Sequence, residues 1–352
     1  MVNVLVVGAG PSGLATAACL RRYGIEAELI DRHGVPGGAY RRIYRGVTLA
    51  SPARYTELPG LAVAGRGEYI TVPTYREYLE RYAAHHALTV RRATLLGVER
   101  VGAQFRASVE GAVTRDYDAV VMATGMHDFP GWPQIPGLRP GPDVLHACQW
   151  PGPERFRGRR VLIVGGATGA VEIAEECARA GLRPVVSVRG NDVKIAPQRF
   201  LGRDIHDYVT RAFAWLPRRF LRAYCAGRLS LPGTDLGFRR FRRDGIIAVR
   251  GPVARMDRGV AVFADGTREM FDAVVAATGY RFETPALPAE VARAPVYGHP
   301  LADRGESRSW PNLFVVGMPC VHRLSSEFLY GIATDAEWVA RRIAGRFRGR
   351  RV

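Results

Sequence analysis

The sequence has only one lysine, Lys194, among its 50 basic residues. The formal net charge of +17 is therefore almost entirely arginine, which indicates a compositional bias rather than a nucleic-acid-binding patch. No apolar run approaches the ~20 residues of a membrane span, and no basic, cleavable leader is evident. We expect a cytoplasmic protein with neither nucleic-acid partners nor integral membrane association.

Cysteine is also scarce. Five cysteines are scattered along 352 residues, and none forms a C-x-x-C pair. The pattern argues against a dithiol redox centre and against a zinc site, so no metal is expected. Scattered cysteines fit a reducing compartment.

One module is present twice. A short apolar strand leads into the glycine-rich loop Gly8–Gly13, and a second such strand leads into 165–170. Each loop precedes a helical stretch. Each copy closes with the pattern Asp-Ala-Val-Val-x-Ala-Thr-Gly, ending at Gly125 in the first copy and at Gly279 in the second. Two such modules predict a chain that holds two dinucleotides.

The first loop has the complete G-x-G-x-x-G form. Gly8 makes the tight turn, Gly10 lets the backbone approach a pyrophosphate, and Gly13 permits close packing of helix on strand. Asp31 ends the next strand, where an acidic residue holds a ribose diol. The step Gly38-Ala-Tyr40 follows, and in flavoproteins such a step lies beside the flavin ring.

The second loop departs from this form. Ala167 stands where the middle glycine belongs, and no carboxylate ends the following strand. Arg189 and Lys194 follow that strand instead. Since arginine accommodates a 2′-phosphate, we expect NADPH rather than NADH at this loop.

The order of elements predicts an α/β protein with two Rossmann-like dinucleotide-binding domains, the NADPH domain inserted in the FAD domain. Residues 1–128 and 280–352 form the predicted FAD domain. Residues 129–279 form the predicted NADPH domain, with a helical insertion at about 196–244. Thr74 is the predicted cap of a helix over about 75–86, residues 88–120 are a predicted meander, and 126–158 show no clear element.

These features resemble the flavin-containing monooxygenase group, including its YUCCA-type branch. The likeness covers nearly the whole chain and includes the segments 49–59, 75–82, 200–204, 277–280 and 328–331. The segment His146-Ala-Cys-Gln-Trp-Pro151 matches the second half of the group's linker fingerprint in its Baeyer-Villiger form. The first half is absent, and Ala50 stands where Baeyer-Villiger enzymes carry an aspartate, so we expect no typical enzyme of that class.

The resemblance implies an oxidoreductase in which NADPH reduces FAD. Oxygen then forms a flavin C4a-(hydro)peroxide, which transfers one atom to a small organic substrate. An amine, a thioether, a carbonyl or a 2-oxo acid would each suit this chemistry. The expected partners are thus a small molecule and molecular oxygen, with a homodimer as the expected assembly.

The predicted site residues fall into two groups. The proposed catalytic residues are Ser51, Arg54, Tyr55 and His322. The proposed cofactor-binding residues are Gly8, Gly10, Pro11, Ser12, Gly13, Asp31, Gly38, Tyr40, Thr124, Gly125, Gly165, Ala167, Thr168, Gly169, Arg189, Lys194, Gly279, Tyr280, Gly317 and Ser325.

Two other interpretations fit the same sequence. One is an FAD-dependent NADPH reductase or oxidase that never inserts oxygen. The other is a non-catalytic flavoprotein, which the alanine at position 167 would favour.

Overall fold

The computed structural model describes residues 2–43, 47–65, 67, 69–111, 113–190, 192–215, 218–228 and 232–348. In chain order its strands are β1 Val4–Val7, β2 Ala27–Asp31, β3 Val90–Arg92, β4 Leu95–Val101, β5 Gln104–Val109, β6 Arg115–Tyr117, β7 Ala119–Met122, β8 Val144–His146, β9 Val161–Val164, β10 Val185–Ser187, β11 Ile195–Pro197, β12 Arg199–Phe200, β13 Arg203–Asp204, β14 Gly233–Asp235, β15 Ala248–Arg250, β16 Val253–Asp257, β17 Val260–Phe263, β18 Arg268–Met270, β19 Ala273–Ala276, β20 Ala302–Asp303, β21 Glu306–Ser307 and β22 Leu313–Val315. Its helices are α1 Pro11–Arg22, α2 Val72–His85, α3 Thr168–Arg179, α4 His206–Trp215, α5 Arg218–Cys225, α6 Phe238–Arg243 and α7 Leu329–Arg346.

The chain divides into two compact units. The first unit comprises residues 1–128, 206–230 and 282–352, and the second comprises 129–205 and 231–281. The predicted α/β class with two Rossmann-like domains is confirmed, because each unit is built on a parallel sheet with the strand-loop-helix module at its centre.

The first unit has three layers. Its sheet has the order β20-β21-β22-β7-β1-β2-β3, parallel from β22 to β3 and antiparallel at the β20 edge. Alternate residues of β1 bury opposite faces. Val4 and Val6 pack in the cluster that contains α1, α2 and α7, whereas Leu5 and Val7 pack in the cluster that contains β4–β6.

The second unit repeats this plan. Its five-stranded sheet has the order β15-β10-β9-β19-β8 and is parallel throughout. The antiparallel strands β16–β18 share an apolar cluster with β9 and β19, as β4–β6 do with β1 and β7 in the first unit. The repeated module in the sequence therefore corresponds to a repeated fold.

Several local predictions are wrong in detail. Thr71, not Thr74, caps α2, because the Thr71 side chain accepts the backbone N–H of Thr74. Strand β3 leaves the predicted meander and joins the main sheet beside β2. Strand β8 lies in the stretch 126–158, where no element is predicted, and pairs with β19.

The predicted insertion at about 196–244 is not one helical piece. It contains the hairpin β12–β13 and three helices, and its central residues 206–230 group with the first unit. Cys225 in this part forms a disulfide with Cys320. This bond has no local signal in the sequence, since the two cysteines lie 95 residues apart and no motif links them.

Among the described residues, no helix is both long and apolar enough to cross a membrane.

Candidate functional site

The first glycine loop is fixed by close packing. A Cβ on Gly8, whose φ is +103°, would lie 2.4 Å from the carbonyl oxygen of Ala123. A Cβ on Gly13 would lie 1.7 Å from the carbonyl oxygen of Gly8. Gly10 differs, because no atom lies within 4 Å of its Cβ position. The loop thus packs tightly against its own unit and leaves Gly10 open at the N-terminus of α1, where a pyrophosphate would be stabilised.

A cleft runs along the first unit from this loop. Its lining includes Glu327, which was not predicted from the sequence, and nine residues that were: Gly8, Gly10, Pro11, Ser12, Asp31, Tyr40, Thr124, Gly125 and Gly317. The hydroxyl of Thr124 is buried and has no hydrogen-bond partner among the described residues. An unpartnered buried hydroxyl in a cleft indicates that a ligand group completes its bonding.

Asp31 is held in place at the end of β2. Its carboxylate accepts the backbone N–H of Ala9 at 2.8 Å and that of His33 at 2.7 Å. Gly38 packs against it, since a Cβ there would lie 2.7 Å from the Asp31 Oδ1 atom. This arrangement leaves lone pairs of a fixed carboxylate for a ribose diol.

Gly317 lines the cleft beside Ser12 of the glycine loop. Its φ is +75°, and a Cβ there would lie 1.9 Å from the Ser12 hydroxyl. Only glycine fits both the backbone conformation and this approach. Ser325 does not line the cleft, and its carbonyl instead packs against Gly331 in the first turn of α7.

The residues that line this cleft fit FAD. The glycine loop leaves open space for phosphates, Asp31 is placed for a ribose, and Thr124 offers an unpartnered hydroxyl.

Two of the predicted catalytic residues meet at a carboxylate that the sequence analysis misses. Arg54 Nη2 lies 2.8 Å from Asp207 Oδ1, and the Tyr55 hydroxyl donates to the same oxygen. The guanidinium also lies over the Tyr55 ring at 4.8 Å. Asp207 raises the pKa of Arg54, which therefore stays charged. Ser51 is buried just before this pair.

Aromatic rings cluster around His206, the residue before Asp207. The His206 ring lies 6.0 Å from Tyr55, 6.5 Å from Tyr69 and 6.4 Å from Tyr330. Tyr330 stacks on Phe328, next to Leu329, which lines the cleft. A planar aromatic ligand would find both apolar faces and a cation here.

The structure does not bring His322 into the cleft. Its Nδ1 atom lies 2.9 Å from the Asp335 carboxylate, and its ring lies 5.2 Å from Trp338. Both partners belong to α7. This pair fastens the preceding loop to the helix.

The second glycine loop repeats the first in part. Gly165 has φ +143°, and a Cβ there would lie 2.2 Å from the carbonyl oxygen of Ala277, just as Gly8 meets Ala123. Ala167 has the backbone angles φ −103° and ψ −176°, close to −70° and −176° at Gly10. No atom outside its own helix backbone and chain neighbours lies within 4 Å of the Cβ position of Gly169. Thr168 begins α3, and Gly233 approaches its hydroxyl.

Charges beyond β10 are those expected for a phosphate. Arg189 is exposed two residues after the strand ends, and Lys194 follows before β11. The neighbouring Arg250, which the sequence analysis does not single out, lies 2.7 Å from Glu269. With Gly165 and the uncapped start of α3, these residues fit a phosphorylated dinucleotide such as NADPH.

Gly279 and Tyr280 lie at the end of this module with His146. The His146 Nδ1 atom accepts the Cys148 N–H at 3.2 Å, so its ring proton is on Nε2 and is donated to the Gly279 carbonyl at 2.9 Å. The rings of Trp132 and Tyr280 lie 5.7 and 5.3 Å away. Burial lowers the pKa of His146, which keeps it neutral and structural.

Comparison with known proteins identifies relatives over most of the chain. Residues 5–213 match the family of pyridine nucleotide-disulphide oxidoreductases. Indole-3-pyruvate monooxygenase YUCCA1 of Oryza sativa subsp. japonica is 31% identical over 322 residues, which cover 81% of this chain and 78% of the rice protein. Indole-3-pyruvate monooxygenase YUCCA6 of Arabidopsis thaliana is 30% identical over 327 residues, which cover 80% of this chain and 76% of the Arabidopsis protein.

Solved structures share the fold. A flavin-containing monooxygenase from Stenotrophomonas maltophilia superposes with a TM-score of 0.80 at 24% identity, covering 98% of this chain and 99% of the other. Bacillithiol disulfide reductase from Staphylococcus aureus superposes with a TM-score of 0.76 at 16% identity, covering 98% of both chains. The fold alone therefore does not distinguish oxygenation from disulfide reduction.

Proposed function

Because the chain belongs to the pyridine nucleotide-disulphide oxidoreductases and to the YUCCA-like flavin-containing monooxygenases, and is an FAD- and NADPH-dependent monooxygenase, we propose that its substrate is a small aromatic 2-oxo acid. In such a reaction one atom of O₂ enters the organic product and the other leaves as water. The relatives named as indole-3-pyruvate monooxygenases support this substrate class.

One observation in the structure carries the proposal: a charged arginine stands among aromatic rings in the unit that holds the cleft. Asp207 accepts a hydrogen bond from one nitrogen of Arg54, and the Tyr55 hydroxyl donates to the same carboxylate oxygen. A guanidinium has five N–H donors in all. The remaining donors suit a substrate carboxylate, and Tyr55, Tyr69 and Tyr330 suit its ring.

FAD is proposed to bind the first unit and NADPH the second. Bound FAD supplies the redox and oxygen chemistry, with NADPH as its reductant. The glycine loop, Asp31, Thr124 and Gly317 position FAD in the first unit. Gly165, Ala167, Gly169 and Arg189 position NADPH in the second. The proposed domains are 1–128 with 280–352 for FAD and 129–279 for NADPH, and within the second range residues 206–230 group with the first compact unit.

A product analysis tests the reaction class. Purified enzyme with FAD, NADPH and isotope-labelled O₂ is given indole-3-pyruvate, a thioether or an amine, and products are weighed by mass spectrometry. One labelled oxygen in the product of the 2-oxo acid supports the proposal. Label in the thioether or amine alone overturns the substrate class. NADPH consumption with only hydrogen peroxide as product supports the reductase or oxidase interpretation.

A substitution tests the role of Arg54. We expect Arg54→Met to raise KM for the 2-oxo acid by roughly 10- to 100-fold, since a hydrogen bond to a charged group contributes about 1.5–3 kcal/mol. KM for NADPH should not change, and Arg54→Lys should recover part of the loss. Arg308→Met, at an exposed arginine of the same unit, is the control. Equal effects on both KM values would argue against a substrate contact.

The proposal also includes a cytoplasmic location and a homodimer. Cell fractionation and sedimentation at several protein concentrations test them.

A further inference from the structure

Glu327 is a carboxylate of the cleft wall, close to the start of α7, to which the proposed reaction gives no role. It lines the cleft two residues before Leu329, which begins α7 and lines the same cleft. The hydroxyl of Tyr224 donates a hydrogen bond to its carboxylate. Tyr224 belongs to α5, so this bond joins two segments that lie about a hundred residues apart in sequence.

A covalent bond stands directly beside this hydrogen bond. Cys225 follows Tyr224 in the last turn of α5 and is joined to Cys320. Cys320 lies three residues after Gly317 of the cleft and seven before Glu327. Two consecutive residues of α5 therefore hold the two ends of the segment 320–327, whose last residue, Glu327, lines the cleft.

We propose that the Cys225–Cys320 disulfide is a redox-controlled cross-link that maintains the hydrogen bond from the Tyr224 hydroxyl to Glu327. In this proposal Glu327 is a positioning residue of the cleft. The inference rests on the proposed use of this cleft for FAD. Reduction breaks the Sγ–Sγ bond with two electrons and two protons from a dithiol, which itself becomes a disulfide. Helix α5 then keeps only non-covalent contacts with the segment 320–327.

The environment of Glu327 makes its protonation state sensitive to the disulfide cross-link. Burial raises the pKa of Glu327 to about 6, and the hydrogen bond from Tyr224 opposes that rise. The groups that face it are the phenols of Tyr224 on α5, Tyr297 in the loop before β20 and Tyr330 on α7. Loss of the Tyr224 bond should therefore raise the pKa of Glu327 further and leave more of it neutral near pH 7.

The exposure of the two cysteines fits a reversible bond. Both are half-buried, whereas the free thiols of Cys19 and Cys177 are buried. A disulfide that persists or cycles in a reducing compartment is usually a redox-sensing or catalytic one. The proposed cytoplasmic location would thus give this bond a regulatory role.

The disulfide itself can be tested without any flavin signal. Purified protein is alkylated before and after treatment with dithiothreitol, digested, and mapped by mass spectrometry. We expect Cys225 and Cys320 to be linked before reduction and alkylated only afterwards. Free thiols at both positions in protein purified without reductant would overturn the proposal, whatever the enzyme oxidises.

The effect on Glu327 is tested in the FAD-loaded enzyme by its flavin absorption spectrum between pH 5 and 9. We expect a transition near pH 6 that Glu327→Gln abolishes. Tyr224→Phe should move it upward by about one pH unit, the size expected for one hydrogen bond to a charged group. Reduction by dithiothreitol should move it in the same direction.

Two cysteine variants make the test specific. Cys320→Ser should show the raised transition without reductant and should not respond to dithiothreitol. Cys148→Ser, at a half-buried cysteine of the second unit that is not in a disulfide, should respond as the unsubstituted enzyme does. A transition that reduction leaves in place, or that persists in Glu327→Gln, would overturn the proposal. Absence of a flavin spectrum would instead count against the proposed FAD site.

Discussion

The two glycine loops share a backbone but differ in how tightly they are packed. Gly8 and Gly165 each have a positive φ and each press against the closing strand of their own module. At the third and last positions of the loop, however, the first module has Gly10 and Gly13 while the second has Ala167 and Ala170. Both loops need glycine at the turn. At the last position, the first loop has no space for a methyl group, whereas the second loop carries the methyl group of Ala170.

Gly13 should show the largest difference between the modules. In Gly13→Ala the new Cβ would lie 1.7 Å from the Gly8 carbonyl oxygen and 3.5 Å from the Ala123 Cβ. We expect the free energy of unfolding to fall by more than about 3 kcal/mol, which exceeds the usual cost of an overpacked core. The purified variant should also contain little FAD. Urea denaturation and the flavin content of the purified protein measure both.

Ala170→Gly is the matched change in the second module. It should cost only about 0.5–1 kcal/mol, the usual price of glycine in a helix. If Gly13→Ala were as mild as Ala170→Gly, the packing difference between the two loops would have no energetic meaning.

Substitution of Arg189 tests which nucleotide the second module prefers. The first module ends its second strand with Asp31, while the second has Arg189 near the matching place. We expect Arg189→Ala to lower kcat/KM for NADPH by about tenfold or more, because a charge-assisted bond to the 2′-phosphate is lost, and to leave NADH unchanged. Arg183→Ala, an exposed arginine before the same strand, is the control. Equal losses with both nucleotides would exclude this role for Arg189.

The exchange of Gly10 and Ala167 should have the smallest effect. Gly10→Ala places a methyl group in open space at φ −70°, so stability should hold while FAD binds roughly tenfold more weakly. Ala167→Gly should tighten NADPH binding by no more than a few-fold. Equilibrium titration of each apoprotein variant measures these changes, and a loss of stability in Gly10→Ala would contradict the open geometry.

Much of the nucleotide-binding fold could be predicted from the sequence because its signals are local. Gly8, Gly10, Gly13 and Asp31 lie within 24 residues, and each acts through its own backbone or its immediate strand. In the structure Gly8, Gly10 and Asp31 line the cleft, whereas Gly13 packs against the Gly8 carbonyl and does not line it.

The rest depends on contacts between distant residues. Arg54 and Tyr55 were predicted as site residues, but their common partner Asp207 lies about 150 residues away. His322 was predicted for the same site and is instead paired with Asp335. Side-chain type alone does not say which of two distant carboxylates a cation will meet.

The sequence by itself determined the repeated strand-loop-helix modules and their two cofactors, because glycine turns and buried strands follow from neighbouring residues. It also predicts the residues proposed to hold those cofactors. Only the tertiary structure decided that residues 206–230 group with the first unit, that Asp207 joins Arg54, and that Tyr224 and Cys225 hold the segment 320–327. Those contacts come from packing of the whole chain, and no short stretch of sequence encodes them.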